Sequence, residues 1–206
     1  MTGAAGLEVA QLPLGAYQTN CYLAARPDAV EAAVIDPGDE PAVVLAELER
    51  RRWRAGAILV THGHFDHLGA VAAIAAATGA DVWMPRGEAD SLRGLEWAPY
   101  DPEHLLDGGE TVTVAGIDFA TTAVPGHSPA SIAYHAAGLL FSGDVLFAGS
   151  VGRTDLAGGD MAMLLASIER LMAAYPAETT VLPGHGPATT LGRERAQNPF
   201  LEPLRA

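Results

Sequence analysis

The residues best equipped for chemistry crowd into one stretch, Thr61-His62-Gly63-His64-Phe65-Asp66-His67. Four metal-competent side chains so close together cannot all point one way on regular structure. In an extended segment His62 and His64, two apart, face the same side. A turn into a following helix would bring Asp66 and His67 round from another direction. That arrangement suits two adjacent metal ions better than one. Zinc accepts imidazole nitrogen and carboxylate oxygen at ~2.0–2.2 Å, and a catalytic ion keeps a position open for water.

Three other places repeat the same grammar. An apolar run ends in small or turn-forming residues and then a metal-competent side chain: TTAV-Pro125-Gly126-His127, LLF-Ser142-Gly143-Asp144 and TVL-Pro183-Gly184-His185, beside AILV-Thr61-His62. Rigid strands position what the loops at their ends display. If the four strands share a direction, their tips converge on one edge. The ligand set is then His62, His64, Asp66, His67, His127, Asp144 and His185, with one residue shared between two ions joined by a hydroxide. His104 and His135 fall outside the grammar and read as non-ligands.

The elements that must hold these tips are short. Gly and Pro number 23 and 14 and are spread along the chain, so tight turns join many small elements. Strands are expected at Leu7–Leu14, Asn20–Ala24, Ala32–Ile35, Ala57–Val60, Ala80–Met84, Leu139–Phe141 and Thr179–Leu182. A hairpin around Ala115-Gly116 joins Val112–Val114 to Ile117–Val124, and Ser131–His135 follows. Helices are expected over Glu40–Trp53, Asp66–Ala77 and Gly192–Gln197. Another starts at an Asp160 N-cap and carries the apolar stripe Met161, Leu164, Leu165, Ile168, Leu171, Met172 and Tyr175. Hairpins and strand–helix–strand units occur together, which makes a mixed sheet covered by helices the economical architecture.

Composition narrows the function. A chain of 206 residues fits a single domain over 1–206, with enough core to stand without staples. One cysteine, Cys21, rules out an internal disulfide framework and a Cys-rich zinc module. Net charge is −13 and all 12 basic residues are arginine, which removes Schiff-base lysine chemistry and the P-loop lysine. An acidic chain with scattered arginines lacks the basic footprint of nucleic-acid or anionic-membrane binding. The N-terminal MTGAAGLEVAQLPLGAY has neither the basic nor the apolar region of a signal peptide, so a cytoplasmic location is expected. The expected partner is a small-molecule substrate.

THGHFDH, VPGHS, FSGD and PGHG, in that order, resemble the metallo-β-lactamase-fold hydrolases from about Cys21 to His185. Gly152-Arg153-Thr154-Asp155-Leu156 and the tail GHGPATTLGRERAQNPFL are similar to short bacterial glyoxalase-II-like (hydroxyacylglutathione hydrolase-like) thioester hydrolases. The resemblance implies an α/β protein, an αββα sandwich of two mixed β-sheets flanked by helices, with both metals at one edge. By matching position, His62, His64 and His127 would hold one ion, Asp66, His67 and His185 the other, and Asp144 would bridge. Two departures qualify it. The best-known β-lactamase subclass has cysteine in the metal site, whereas Cys21 lies in an early strand and Asp144 takes the bridging place. Full-length glyoxalase II enzymes carry a further helical domain that grips glutathione, and few residues follow His185 here.

The expected activity is hydrolysis of a thioester, hydroxyacyl-glutathione-like or another acyl-thiol, by a hydroxide bridging two divalent ions, Zn²⁺ first, with Fe or Mn as substitutes. A thiolate leaves with little protonation help. Asp66 has a second reading as the carboxylate that orients the hydroxide. Asp36, in VIDPG, reads either as the acceptor that fixes a ligand histidine's tautomer or as a strand-ending turn residue. Arg153 reads either as a bidentate contact to an anionic substrate or as a salt bridge with Asp155. Trp97 and Tyr100 read as a small hydrophobic cluster or as pocket lining. The alternative function is a mononuclear iron persulfide dioxygenase on the same fold, with His62, His127 and Asp144 as its ligands. A β-lactamase and a non-catalytic metal-braced protein are further readings.

Overall fold

The computed structural model describes residues 6–92 and 102–205; Trp97 and Tyr100 lie outside them. The first half runs β1 (Glu8–Leu14), β2 (Thr19–Ala25), β3 (Glu31–Ile35), α1 (Pro41–Arg51), β4 (Arg54–Leu59), α2 (Phe65–Leu68), α3 (Val71–Thr78), β5 (Asp81–Pro85), α4 (Arg86–Leu92) and β6 (His104–Leu106). Its six strands form one sheet in chain order. β1, β2 and β3 pair antiparallel, whereas β3 to β6 pair parallel. Parallel pairing needs a crossover, and α1 and α3 supply it. α1 starts with Pro41 in its first turn, where a missing N–H costs nothing, and stops at Arg52, whose left-handed backbone folds its N–H back onto Glu49 and Leu48.

The second half holds β7 (Thr111–Val114), β8 (Ile117–Ala123), β9 (Ile132–Ala136), β10 (Leu139–Gly143), β11 (Leu146–Phe147), β12 (Ser150–Val151), α5 (Met161–Ala174), β13 (Thr180–Pro183), β14 (Thr189–Thr190), α6 (Leu191–Gln197) and a closing 3₁₀ turn, Pro199–Arg205. The second sheet has the order β14-β13-β10-β9-β8-β7. Ala115 and Gly116, both at positive φ, close the β7–β8 hairpin as expected of a two-residue turn. β10 and β13 run parallel, and β8 points the same way because two antiparallel pairings separate it from β10.

Three apolar layers stack the molecule as helix–sheet–sheet–helix. Val44, Leu48, Val71 and Ile74 of α1 and α3 cover one face of the first sheet. Tyr22, Ile35 and Leu59 meet Phe119, Ile132, Tyr134, Phe141 and Leu182 between the sheets. Leu164, Ile168 and Leu171 of α5 cover the second sheet with Leu191 and Leu201. No helix among the described residues is long and apolar enough to cross a membrane.

Two local expectations are corrected. The helix expected over Asp66–Ala77 is interrupted, because the Ala70 N–H bonds to Pro37 O and a side chain at Gly69 would strike the carbonyl of Gly38. The stripe of α5 starts at Leu164, since Met161 on the first turn is exposed.

Candidate metal centre

The four strand tips do converge, but from two sheets. β4 delivers Thr61 and His62 from the first sheet, and β8, β10 and β13 deliver His127, Asp144 and His185 from the second. After β4 the chain stays extended through His64 and then turns into α2, so Asp66 and His67 approach from another side. Among the described residues three groups could hold a metal ion, each with donor atoms within 4.8 Å of one another: His62, His64 and His127; His62, His67 and Asp144; and Asp66, His67 and His185.

The buried residues behind the site fix which nitrogen each imidazole presents. Asp36, at the end of β3, accepts the Thr61 N–H and the Thr61 hydroxyl, each at 2.7 Å, and faces His67 Nδ1 at 2.9 Å. A carboxylate only accepts, so His67 carries its proton on Nδ1 and turns Nε2 inward. Because Thr61 gives its proton to Asp36, its oxygen accepts from His62 Nδ1 at 2.9 Å, which leaves His62 Nε2 as a lone pair. His127 Nδ1 donates to the Arg153 carbonyl at 2.8 Å, with the same result. Each of the three rings is thus set to ligate through Nε2.

What these atoms face fits a cation. His64 Nδ1 lies 3.1 Å from His62 Nε2 and 2.8 Å from His127 Nε2, a triangle in which two lone pairs converge on that nitrogen, so a proton or a cation must lie among the three. His67 Nε2 and Asp144 Oδ1 are buried, 3.4 Å apart, and have no hydrogen-bond partner. Asp144 stands between the two halves: its Oδ2 is 3.6 Å from His127 Nε2 and 3.4 Å from His185 Nε2. Asp66 Oδ2 lies 3.3 Å from His185 Nε2 and accepts the Thr19 hydroxyl at 2.9 Å. Gly184 is needed for this closeness, since a Cβ there would strike Asp144 Oδ1 and the His67 ring.

The electrostatics favour positive charge at the centre. Burial, with the charge of His67 beside it, pushes His62 well below its ordinary value. Burial acts the same way on His67, yet Asp144 and Asp36 outweigh it and raise His67 well above the usual range. Hydrogen bonds to Asp144 and Asp66 lift His185 to about 9. Burial works to raise Asp66, but the bond to His185 and the charge of His67 pull its carboxyl to about 2. The carboxylates therefore stay ionised and available as ligands.

The seven sequence-identified residues are all drawn together, and His104 and His135 are not. His104 stacks on Trp83 and pairs with Asp81, while His135 stacks on Tyr175. Asp36 directly follows β3 and at the same time faces His67 Nδ1, the placement its tautomer-fixing reading requires. The Arg153 guanidinium grips Asp155 in a bidentate pair at 2.7 and 2.8 Å, and its residue meets the site through the backbone carbonyl. Thr61 and Thr19 hold candidate ligands, His62 and Asp66, without having stood out in the sequence. Thr61 was signalled only by its place before His62, and Thr19 by nothing local. An exposed aromatic pair, Tyr17 against Phe65 at 5.2 Å, flanks the Asp66 side, and Phe147 lies 6.1 Å from the His185 ring.

Comparison with known proteins agrees with this geometry. The pattern of the Metallo-beta-lactamase superfamily matches residues 14–185. The chain is 37% identical over 204 residues to the "Probable metallo-hydrolase YqgX" of Bacillus subtilis, covering 93% of this chain and 96% of that protein. It is 32% identical over 206 residues to the hydroxyacylglutathione hydrolase GloC of Haemophilus influenzae, covering 92% and 96%. Among solved structures, the BLEG-1 B3 metallo-beta-lactamase superposes with a TM-score of 0.87 at 39% identity, covering 95% of this chain and all of that one. TTHA1623 in a di-iron-bound form superposes with 0.79 at 40% identity, covering 93% and 100%.

Proposed function

From the premise that the chain belongs to the metallo-beta-lactamase superfamily, we propose that this metal-dependent hydrolase holds two divalent cations, zinc first, and cleaves a thioester. His62, His64 and His127 would hold one cation, Asp66, His67 and His185 the other, and Asp144 both. The observation that carries this reading is the position of Asp144 between the two histidine groups, within 3.4–3.6 Å of His67, His127 and His185. Five imidazoles and two carboxylates suit zinc and iron alike. The likeness to GloC supports an acyl-thiol substrate, and the di-iron form of TTHA1623 keeps iron as the alternative occupant.

When bound, such cations polarise a carbonyl, make water acidic and accept a leaving sulfur. The reaction adds water across the acyl–sulfur bond and yields a carboxylic acid and a thiol. The protein's own part is positioning and proton handling. Thr19 donates to Asp66 Oδ2, the oxygen 3.3 Å from His185 Nε2, and so aims it at the cation that Asp66 and His185 would share, where Asp66 would also orient the attacking water. Asp36 keeps the His67 proton on Nδ1 throughout, and the Arg153 carbonyl does the same for His127. Tyr17, Phe65 and Phe147 give the mouth an apolar rim for the acyl or thiol portion.

Elemental analysis of the purified protein, paired with a panel of acyl-thiols and a persulfide, tests the reading. Two metal equivalents per chain and thioester cleavage are expected, with activity falling by at least ~10²-fold in Asp144→Ala. A metal-replete protein inert toward every acyl-thiol would sink the thioester assignment. One iron per chain with oxygen uptake on the persulfide would move it to the dioxygenase reading.

A further inference from the structure

We propose that Glu88 is a positioning residue for the three-histidine half of the site, a role that rests on the two-cation reading above. Glu88 lies on α4, is 5% exposed, and belongs to none of the motifs that mark the ligands. Its Oε2 accepts the N–H of Gly63 at 3.1 Å, and Gly63 is the residue between His62 and His64. Its Oε1 accepts the Ser128 hydroxyl at 2.7 Å and the Ala130 N–H at 2.9 Å, and Ser128 directly follows His127. One carboxylate thereby ties together the two loops, from different sheets, that supply the nitrogen triangle. Ser131 completes the network through its hydroxyl contact with Ser128.

All three partners are donors, and a carboxylate is the side chain that accepts from all of them and offers nothing back. The approach is tight: a Cβ at Gly63 would come within 2.7 Å of Glu88 Oε2, and the glutamate would have to shift to admit it. Asp36 plays the corresponding part on the other side by joining Thr61 to His67. Asp36 thereby reaches His62 through Thr61 as well as His67, whereas Glu88 reaches only the two loops of the three-histidine half.

A glutamine at position 88 keeps the shape but turns an N–H₂ toward at least one of these donors. Buried donors left facing each other make the loop re-aim. The test is zinc uptake by chelator-stripped full-length protein, measured by competition with a chromophoric chelator in two backgrounds. In His185→Ala, which leaves the three-histidine group intact, Glu88→Gln is expected to weaken zinc binding by about 10–100-fold. In His64→Ala, which leaves Asp66, His67 and His185, the same change is expected to alter affinity by less than about threefold, since Glu88 touches none of those residues.

Glu194→Gln is the control. Glu194 is an equally buried acid that accepts from Gly149, Thr189 and Asn198 away from the histidines, and its loss should lower the melting temperature but leave both zinc affinities in place. If Glu88→Gln weakens both backgrounds alike, or moves neither, Glu88 is merely structural and the proposal falls. Should Glu88→Gln fail to fold, Ser128→Ala in the His185→Ala background decides: weakening beyond about twofold supports the role, and less overturns it. A parent protein that takes up no zinc would overturn the two-cation reading and this one with it, whereas a parent that binds two ions indifferent to Glu88 would overturn this one alone.

Discussion

At the scale of single residues, the site depends as much on what is absent from a position as on what is present. Gly184 lets the His185 loop pass against Asp144 and the His67 ring. Gly184→Ala is expected to displace one of them, at about 1–3 kcal/mol of overpacking, and to lower metal uptake together with the melting temperature. Calorimetry and metal analysis on the same sample check it. The ligand-type residues were legible in the sequence because their chemistry is rare and their spacing repeats: a small residue, then His or Asp, after an apolar run. The residues that aim them were less so. Asp36 could be read two ways, Thr19 carried no signal, and Glu88 sits in a stretch of weak pattern. Their meaning comes from contacts across 25 or more positions of chain, such as Asp36 to Thr61 or Glu88 to Ser128, which no local spacing encodes. Arg153 illustrates the converse, since the part of that residue meeting the site is its carbonyl, and sequence says nothing about which backbone atom points where.

At the scale of elements, α5 is more than a cover for the second sheet. Asp160 caps its first turn by accepting the Met163 N–H at 2.9 Å, and its own N–H reaches the carbonyl of Gly126, one residue before His127. Ser167, one face further along, donates to Pro125 O at 2.7 Å. The helix start thus grips the turn that presents His127. Asp160→Ala is expected to cost about 1 kcal/mol through the lost cap. For a chain of this length that corresponds to a melting temperature lower by roughly 2–4 °C, read in a thermal scan. Strand positions and the α5 cap were readable because periodicity and capping are local physics. The break at Gly69 was not, because an alanine-rich run favours helix and only the passing backbone of Pro37 and Gly38 interrupts it.

At the scale of the whole molecule, the fold and its centre are separable. The three apolar layers contain none of the seven candidate ligands, so removing metal is not expected to dissolve them. Chelation should abolish turnover and lower the melting temperature by simple linkage, with far-UV circular dichroism unchanged and zinc restoring both. Unfolding on chelation, with no turnover of any substrate, would favour a metal brace instead. The layered architecture was foreseeable from the mix of hairpins and strand–helix–strand units together with the family resemblance. That the four tips come from both sheets was not evident from the strands alone.

The seam between the sheets also sets an order of events. On the proposed reading, each cation takes donors from both sides of the sandwich, and the donor residues span from His62 to His185. During synthesis the early histidines emerge with nothing opposite them; the three-histidine cage cannot close before Asp144 has emerged, and the other cage waits for the stretch around residue 185. Capture of the second ion is therefore a late step of maturation, and a translation product interrupted before residue 127 would hold His62 and His64 open to the solvent.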